Sequence, residues 1–438
     1  MIEKKTIFSL SSGRPPAGVA VVRVSGPAAG AALRALARRL PSPRRAALVR
    51  LRAPDGDAID DALVLWFPAP ASFTGEDVAE LHVTGGPAVV AALLGALGGM
   101  DGLRPAEPGE FARRAFDNGK LDLTQAEGLA DLIDAETEAQ RRQALRQASG
   151  GLKALAEAWH ARLLSILAET EAALDFGEDE EDVSARLVDD QGPGIAALGA
   201  EIDRHLARYR FAERLRRGLT IVLLGAPNAG KSSLINALAR RDVAIVSPEA
   251  GTTRDLIEVH LDLGGVPATL VDTAGLRETE GVIEAEGVRR ARARAEEADL
   301  VLFLVGPEGR DGDVPTGAVV VESKADLRPD PPEQGHEQEQ RLRVSAITGE
   351  GLASLEALLV DHARRLAGSG QDALVTHERQ RAALAECRDA LGTAAGENDV
   401  VLRAESLRTA MRSLGRLTGR VGVEDILDIV FGRFCIGK

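Results

Sequence analysis

The octapeptide Gly225-Ala226-Pro227-Asn228-Ala229-Gly230-Lys231-Ser232 follows a β-branched run, Thr220 to Leu224, and precedes a helical pattern. Two glycines and a Lys-Ser pair at this spacing, on a strand-to-helix turn, make a phosphate cradle. Its backbone N–H groups converge on anionic oxygens, Lys231 reaches the β- and γ-phosphates, and Ser232, followed by Ser233, brings a hydroxyl to Mg²⁺. Four further stations come in the order that GTP chemistry requires. Gly251-Thr252-Thr253-Arg254-Asp255 offers a hydroxyl to the metal and the γ-phosphate, and Asp272-Thr273-Ala274-Gly275 follows a strand, as a γ-phosphate sensor does. Ser323-Lys324-Ala325-Asp326 also follows a strand, and Asp326 is placed to accept hydrogen bonds from guanine N1 and N2. Ser345-Ala346 closes the base pocket. Each match is short, but the ordered set points to GTP binding and hydrolysis.

Two positions depart from the common pattern of such sites. Ser323 stands where Asn is usual; its hydroxyl is shorter and lacks the amide's fixed donor-acceptor pair, so lower nucleotide affinity is expected more than lost guanine selectivity. Leu276 occupies the position of the water-orienting Gln of Ras-type switches and can neither donate nor accept. A downstream carboxylate, Glu278, Glu280, Glu284 or Glu286, must then orient the attacking water. Arg254 and Arg277 are candidate cations for the transition-state charge, and the Asn228 amide oxygen is a candidate ligand for a monovalent cation against the phosphates.

The elements that must position these groups are legible in outline. Ala17 to Val24 and Ala62 to Phe67 read as strands, and Ala28 to Leu40 and Pro87 to Leu97 as helices, giving a mixed α+β domain over residues 1–118. Leu152, Leu155, Trp159, Leu163, Ile166 and Leu167 recur at helical spacing, and Glu171 to Asp190 gathers nine carboxylates around the single Arg186, which reads as a solvated acidic connection. From 219 to 370 the runs Thr220 to Leu224, Ala268 to Val271, Leu300 to Val305 and Ala318 to Val321 alternate with helical stretches, as βαβ units and a parallel sheet do. The Pro-rich segment Arg328 to Glu339 reads as a surface loop. Helical character resumes after His377, with Leu384, Cys387, Leu391, Ile426, Ile429 and Val430. The expected organisation is 1–118, a helical part 119–215, an inserted α/β domain 216–371 and a second helical part 372–438, the two helical parts packing together because each has an apolar face.

Composition bounds the remaining classes. The 438 residues carry a formal charge of −14, with 15 basic and 12 acidic side chains in the first 120, so the acidity lies beyond them and broad electrostatic adhesion to RNA is not expected. Aromatics are 3%, too sparse for stacking platforms on single strands. Two cysteines, Cys387 and Cys435, exclude a disulfide framework and suit a reducing compartment. The first ten residues lack an apolar secretion signal and no apolar run reaches the roughly 18 residues of a membrane span, so a cytoplasmic protein without a membrane partner is expected.

At this point the chain resembles the MnmE (TrmE) family of tRNA uridine-34 modification GTPases. The likeness rests on Gly18 to Ser25, Phe73-Thr-Gly-Glu-Asp77, Pro108-Gly-Glu-Phe111, Lys120-Leu-Asp-Leu, Asp131-Leu-Ile-Asp134, the GTPase stations and the ending Phe434-Cys-Ile-Gly-Lys438. It implies an N-terminal α+β domain that binds tetrahydrofolate and dimerises, an α-helical bundle domain, and an inserted α/β P-loop (Ras-like) GTPase domain. It implies a K⁺-stimulated GTPase and homodimer that forms a heterotetramer with MnmG (GidA), which uses FAD and NADH. Together they place an aminomethyl or carboxymethylaminomethyl group on C5 of the tRNA wobble uridine, with the one-carbon unit from 5,10-methylenetetrahydrofolate, of which 5-formyltetrahydrofolate is an analogue. By that resemblance Ser232 and Thr253 hold Mg²⁺. Asn228, Ser247, Glu249 and Thr252 hold K⁺, within a loop running from Ser247 to Thr252, and Glu284 is the catalytic carboxylate. Arg23, Glu80, Lys120 and Lys438 match folate-contacting positions, and Cys435 matches a cysteine proposed for the modification step. On residue type alone, a lone cysteine near a helix end is more often a small buried hydrophobe. A ribosome-assembly GTPase is disfavoured by the lack of a Gly-x-x-Gly basic loop or second phosphate loop. A folate-dependent aminomethyltransferase fits the N-terminal part but not the inserted GTPase.

Overall fold

The short β-branched runs and Gly/Pro-punctuated turns of the first 105 residues make a six-stranded sheet: β1 (Thr6–Leu10), β2 (Ala17–Ser25), β3 (Ala47–Arg52), β4 (Ala58–Phe67), β5 (Val78–Gly85) and β6 (Leu103–Pro105). The computed structural model describes residues 5–175, 181–241, 243–245, 258–272, 294–309, 314–328, 342–368, 373–422 and 424–437. They fall into two units, one within 1–130, 147–179 and 404–438, the other within 131–146 and 180–403.

In the first unit the strand order is β3-β4-β5-β2-β1-β6, antiparallel except for the β1–β6 pair. The period-2 alternation of β2 sends Ala20, Val22 and Val24 into the core and leaves Arg23 on the opposite face, in register with Glu80 of β5. The helices Ala29–Ala37 and Pro87–Gly98 cover the core face through Leu33, Leu36, Leu93 and Leu97, all at most 1% exposed. The expected apolar stripe lies on the helix Gly151–Asp175, where Leu152, Trp159 and Leu163 are fully buried. That helix is tied to Val400–Thr418 by Arg408 and Glu171, 2.5 Å apart.

A buried ion network holds the sheet to the helix Glu110–Asp117. Arg114, 4% exposed, donates to Glu76 (3.0 Å), Glu110 (2.9 Å) and the Lys5 carbonyl (2.9 Å), while Arg104 donates to both Glu110 oxygens at 2.8 and 2.6 Å. Burial pushes the Glu110 carboxyl up, but Arg104, the Glu107 N–H and Arg114 more than offset it, so it is held below the usual carboxylate range. Its stabilisation is therefore full at neutral pH and is lost as the pH falls through the depressed value. Arg114→Ala takes the buried cation away from Glu76 and leaves Glu110 to Arg104, and a loss of about 3–5 kcal/mol is expected in urea unfolding of the full chain. A loss below about 1 kcal/mol contradicts the network's role.

The second unit holds the expected α/β layer: β7 (Leu219–Gly225), β8 (Glu258–Leu263), β9 (Val266–Asp272), β10 (Leu300–Val305), β11 (Val319–Glu322) and β12 (Leu342–Arg343), in the order β12-β11-β10-β7-β9-β8. All pairs are parallel except β8–β9. Near-continuous apolar strands such as β7 and β10 are what a sheet covered on both faces requires, and Leu234, Ile235, Leu238, Leu355 and Leu359 of the flanking helices Lys231–Leu238 and Leu352–Ala367 pack into that core. Helix Glu181–Leu206, which precedes the sheet in sequence, packs against Glu378–Gly396, which follows it: Gly199 leaves room for Leu391, and Arg388 pairs with Asp203 at 2.9 Å. The flanking helical segments do pair.

One expectation is corrected. The acidic stretch is not a plain connection, because the helix ending at Asp175 and the one beginning at Glu181 extend into it. Helical backbone there is stabilised by tertiary packing further along each helix, which overrides local charge repulsion. Of the segment expected as a surface loop only Arg328 is described, its guanidinium half-buried and bonded to backbone, and residues 329–339 lie outside the described residues.

Candidate functional site

Strand β7 ends at Gly225, whose backbone comes so close to β10 that a Cβ there would lie 2.5 Å from the Leu304 carbonyl oxygen. Only glycine permits that approach, and it delivers the chain into the turn Ala226 to Gly230. Asn228 adopts a left-handed conformation, φ 65°, that Asn tolerates better than most residues, and Gly230 at φ 92° starts the helix. Lys231 is 8% exposed, and its ammonium donates to the carbonyls of Gly225 (2.8 Å) and Ala226 (3.0 Å), so the cation sits at the mouth of the loop. Ala229 is buried at the loop's centre, while Asn228, Ser232 and Ser233 are exposed.

The Ser232 hydroxyl donates to Asp272 Oδ2 at 2.8 Å, which joins the first helical turn to the end of β9. A serine hydroxyl and a carboxylate on adjacent elements are hard oxygen donors of the kind Mg²⁺ takes, so the residues present fit that ion. The base-reading loop packs on the phosphate loop. Lys324, left-handed at φ 55°, lays its Cε 3.9 Å from where a Cβ on Gly230 would sit. Ser323, 4% exposed, donates to the Ala229 carbonyl at 2.5 Å and approaches that of Val305 at 3.3 Å. Its short hydroxyl thus ties the two loops directly. Ser345, fully buried, donates to Asp326 Oδ1 at 2.5 Å and accepts from the N–H groups of Ile347 and Thr348, with half-buried Ala346 beside it. The carboxylate is thereby held in one orientation before any base arrives.

Two supports were invisible to motif reading. Arg328 donates to the Ser323 carbonyl (3.3 Å), to Val305 (2.7 Å) and to Gly306, clamping the base loop to the end of β10. Asp299 accepts from Arg214, Arg217 and the Thr220 N–H at 3.0–3.2 Å and so fixes where β7 begins. Neither residue belongs to a short motif; each acts through partners remote in sequence.

Comparison with known proteins agrees with this geometry. A family model described as the GTP-binding protein TrmE N-terminus matches residues 6–120, and one described as the MnmE helical domain matches residues 123–435. The tRNA modification GTPase MnmE of Bradyrhizobium sp. (strain ORS 278) is 53% identical over 447 residues, covering 99% of each chain. That of Methylobacterium sp. (strain 4-46) is 56% identical over 441 residues, also 99% of each. The chain belongs to the MnmE family of tRNA modification GTPases. Among solved structures, Aquifex aeolicus Era bound to GDP.AlF4- is 25% identical over 33% of this chain and 56% of its own, with a TM-score of 0.25.

Several positions matched to MnmE roles lie outside the described residues: Ser247, Glu249, Thr252, Thr253, Thr273, Ala274, Gly275, Glu284 and Lys438, and with them Arg254, Leu276, Arg277, Glu278, Glu280 and Glu286. In the N-terminal part, Arg23 donates to Glu80 at 3.0–3.1 Å and lies over the rings of Phe73 and Phe111, 5.4 and 5.8 Å from their centroids. Glu80 and Lys120 line one cavity of about 380 Å³ with Arg44, Phe67, Ser72, Phe73 and Val78. His82 Nε2, buried and making no hydrogen bond among the described residues, stands 3.5 Å from Glu80 Oε2. Aromatic walls, a carboxylate and a cation suit a pterin with an anionic tail, so the residues present fit a folate.

The C-terminal tail lies along the same unit. Ile436 pairs with Pro108, Ser11 donates to the Gly437 carbonyl at 2.8 Å, and Gly437, at φ 99°, sits where a Cβ would come within 2.1 Å of the Leu10 carbonyl oxygen. Cys435 is exposed there, contrary to the buried reading of a lone cysteine, since the tail is anchored instead through the buried Phe434 and Gly437 on either side. Cys387 takes the buried role instead, its thiol pushed up to about 12 by desolvation.

Proposed function

We propose that this protein is a GTP hydrolase whose nucleotide cycle drives modification of C5 of the tRNA wobble uridine. The observation that carries the reading is the assembled site around Lys231, with Ser232 on Asp272 and Ser345 on Asp326, in a chain 53% identical end to end to a tRNA modification GTPase. Lys231 neutralises the β/γ-phosphates, Ser232 with Thr253 holds Mg²⁺, Asp272 orients Ser232, and Asp326 reads guanine. Asn228, with Ser247, Glu249 and Thr252, holds K⁺, which supplies positive charge against the phosphoryl group in transfer. Glu284 orients the attacking water in place of the Gln that Leu276 cannot mimic.

In this reading the protein has three domains, 1–118, the helical parts 119–215 and 372–438, and the inserted 216–371, and works in the cytoplasm as a homodimer. Its partner is the FAD- and NADH-using MnmG, in a heterotetramer. Arg23, Glu80, Lys120 and Lys438 hold methylenetetrahydrofolate in the N-terminal cavity, and the exposed Cys435 lies in the adjacent tail. The final group is aminomethyl or carboxymethylaminomethyl.

Two measurements test the reading. Nucleosides from tRNA of a strain lacking the gene should show unmodified uridine at position 34 by mass spectrometry, and an intact modified nucleoside in that digest refutes the function. Replacing KCl by NaCl at equal ionic strength should slow GTP turnover at least tenfold; equal rates in the two salts refute the K⁺ site while leaving the GTPase assignment intact.

A further inference from the structure

Between Glu3 and Asp55 the sequence carries eleven basic side chains and no acidic one, inside a protein of formal charge −14. Folding satisfies several of them. Arg23 pairs with Glu80, Arg50 forms a two-pronged bridge to Asp61 at 2.7–2.8 Å, Arg52 donates to the Gly56 carbonyl, and Arg44 lies over the Phe67 ring. Arg34, Arg38, Arg39 and Arg45 are different. All four are exposed, and their side chains make no hydrogen bond or ion pair among the described residues.

Their placement is compact. Arg34 and Arg38 stand one helical turn apart, on the last turn and C-cap of the helix Ala29–Ala37. Arg39 and Arg45 bracket the short loop to the edge strand β3. The loop is anchored by the Arg44 N–H on the Trp66 carbonyl (2.8 Å) and the Arg45 N–H on the Ser42 carbonyl (3.2 Å). Arg38 holds its backbone at φ 60°, where glycine is the usual helix terminator. Four cations within twelve residues repel one another, and among the described residues no acid pairs with them; an arriving polyanion relieves that repulsion. Every basic residue from 34 to 45 is arginine, whose planar fork matches phosphate oxygens in pairs. From Asp55 onward the chain is acidic in sum, so the stretch before it is the part of the sequence with a net positive charge.

We propose that Arg34, Arg38, Arg39 and Arg45 form a docking site for the phosphate backbone of the tRNA, a site that rests on the tRNA-modifying reading above. Such contacts position a nucleic acid without reading its sequence. Arg44, between Arg39 and Arg45, also lines the 380 Å³ cavity, so the docked backbone runs beside the pocket assigned to the one-carbon donor.

The test titrates fluorescently labelled, unmodified tRNA bearing uridine 34 into the full-length protein across a salt series. Wild type is compared with a fourfold Arg→Gln variant (Arg34→Gln, Arg38→Gln, Arg39→Gln, Arg45→Gln) and with the matching fourfold Arg→Lys variant. The Gln variant should bind about 100-fold more weakly near physiological salt, with the slope of log K against log salt reduced by about 3. The Lys variant keeps the charge and should stay within several-fold of wild type; thermal unfolding of both variants at the wild-type midpoint confirms the fold. Wild-type affinity and slope in the Gln variant overturn the proposal. So does a Gln variant that loses only self-association by sedimentation while binding tRNA normally, since the cluster is then a protein contact. Failure of the wild-type protein to bind tRNA at any salt overturns the tRNA-modifying reading itself, and the docking site with it.

Discussion

Lys231→Ala should lower kcat/KM for GTP by at least about 10³-fold, roughly 4 kcal/mol of transition-state stabilisation. The size follows from position. The ammonium is 8% exposed and held at the loop mouth by two carbonyls 2.8 and 3.0 Å away, so it meets phosphate charge in a partly desolvated setting where a cation counts for more than in water. Lys231→Arg keeps the charge but replaces a compact ammonium by a broad fork within a tight backbone turn, and it should also lose most of the activity. Binding of a fluorescent GDP analogue separates the effects: the diphosphate lacks the γ-group, so its affinity should fall less than kcat/KM. Turnover of either variant within threefold of wild type refutes the placement of Lys231.

Asp326→Asn should weaken GTP about 10²- to 10³-fold and raise the affinity for xanthosine triphosphate. In the proposed site the carboxylate accepts from two guanine N–H groups, each charge-assisted bond being worth about 1.5–3 kcal/mol, and an amide offers one acceptor and one donor instead. Xanthine carries a carbonyl where guanine has its amino group, so the amide donor gains the acceptor it needs. The buried Ser345 hydroxyl can donate to the amide oxygen as it does to Asp326 Oδ1, so orientation survives the substitution. Competition of both triphosphates against a labelled nucleotide decides the matter, and an unchanged preference for GTP shows that guanine is read elsewhere.

Ser323 shows how far local reading reaches. As a residue type it announces a departure from Asn and weaker nucleotide binding. In the fold its hydroxyl bridges to Ala229, 94 positions earlier, and Arg328 clamps the same loop from behind. The reduced side chain is thus recruited to join the base and phosphate loops. The exposed Cys435 and the helical ends of the acidic stretch came out differently from expectation for a related reason: burial and helix extension are set by what the rest of the chain packs against a segment.

The sequence by itself determined the phosphate loop, the order of the nucleotide stations, the parallel α/β layer and the family, because each is written in contiguous residues whose backbone preferences and spacing act locally. Only the tertiary structure decided the Arg114 network, the Ser232–Asp272 and Ser345–Asp326 contacts, the docking of Ile436 and Gly437 beside β1, and which arginines make no side-chain bond among the described residues. Those depend on side chains brought together from tens to hundreds of residues apart, and no local spacing encodes such meetings.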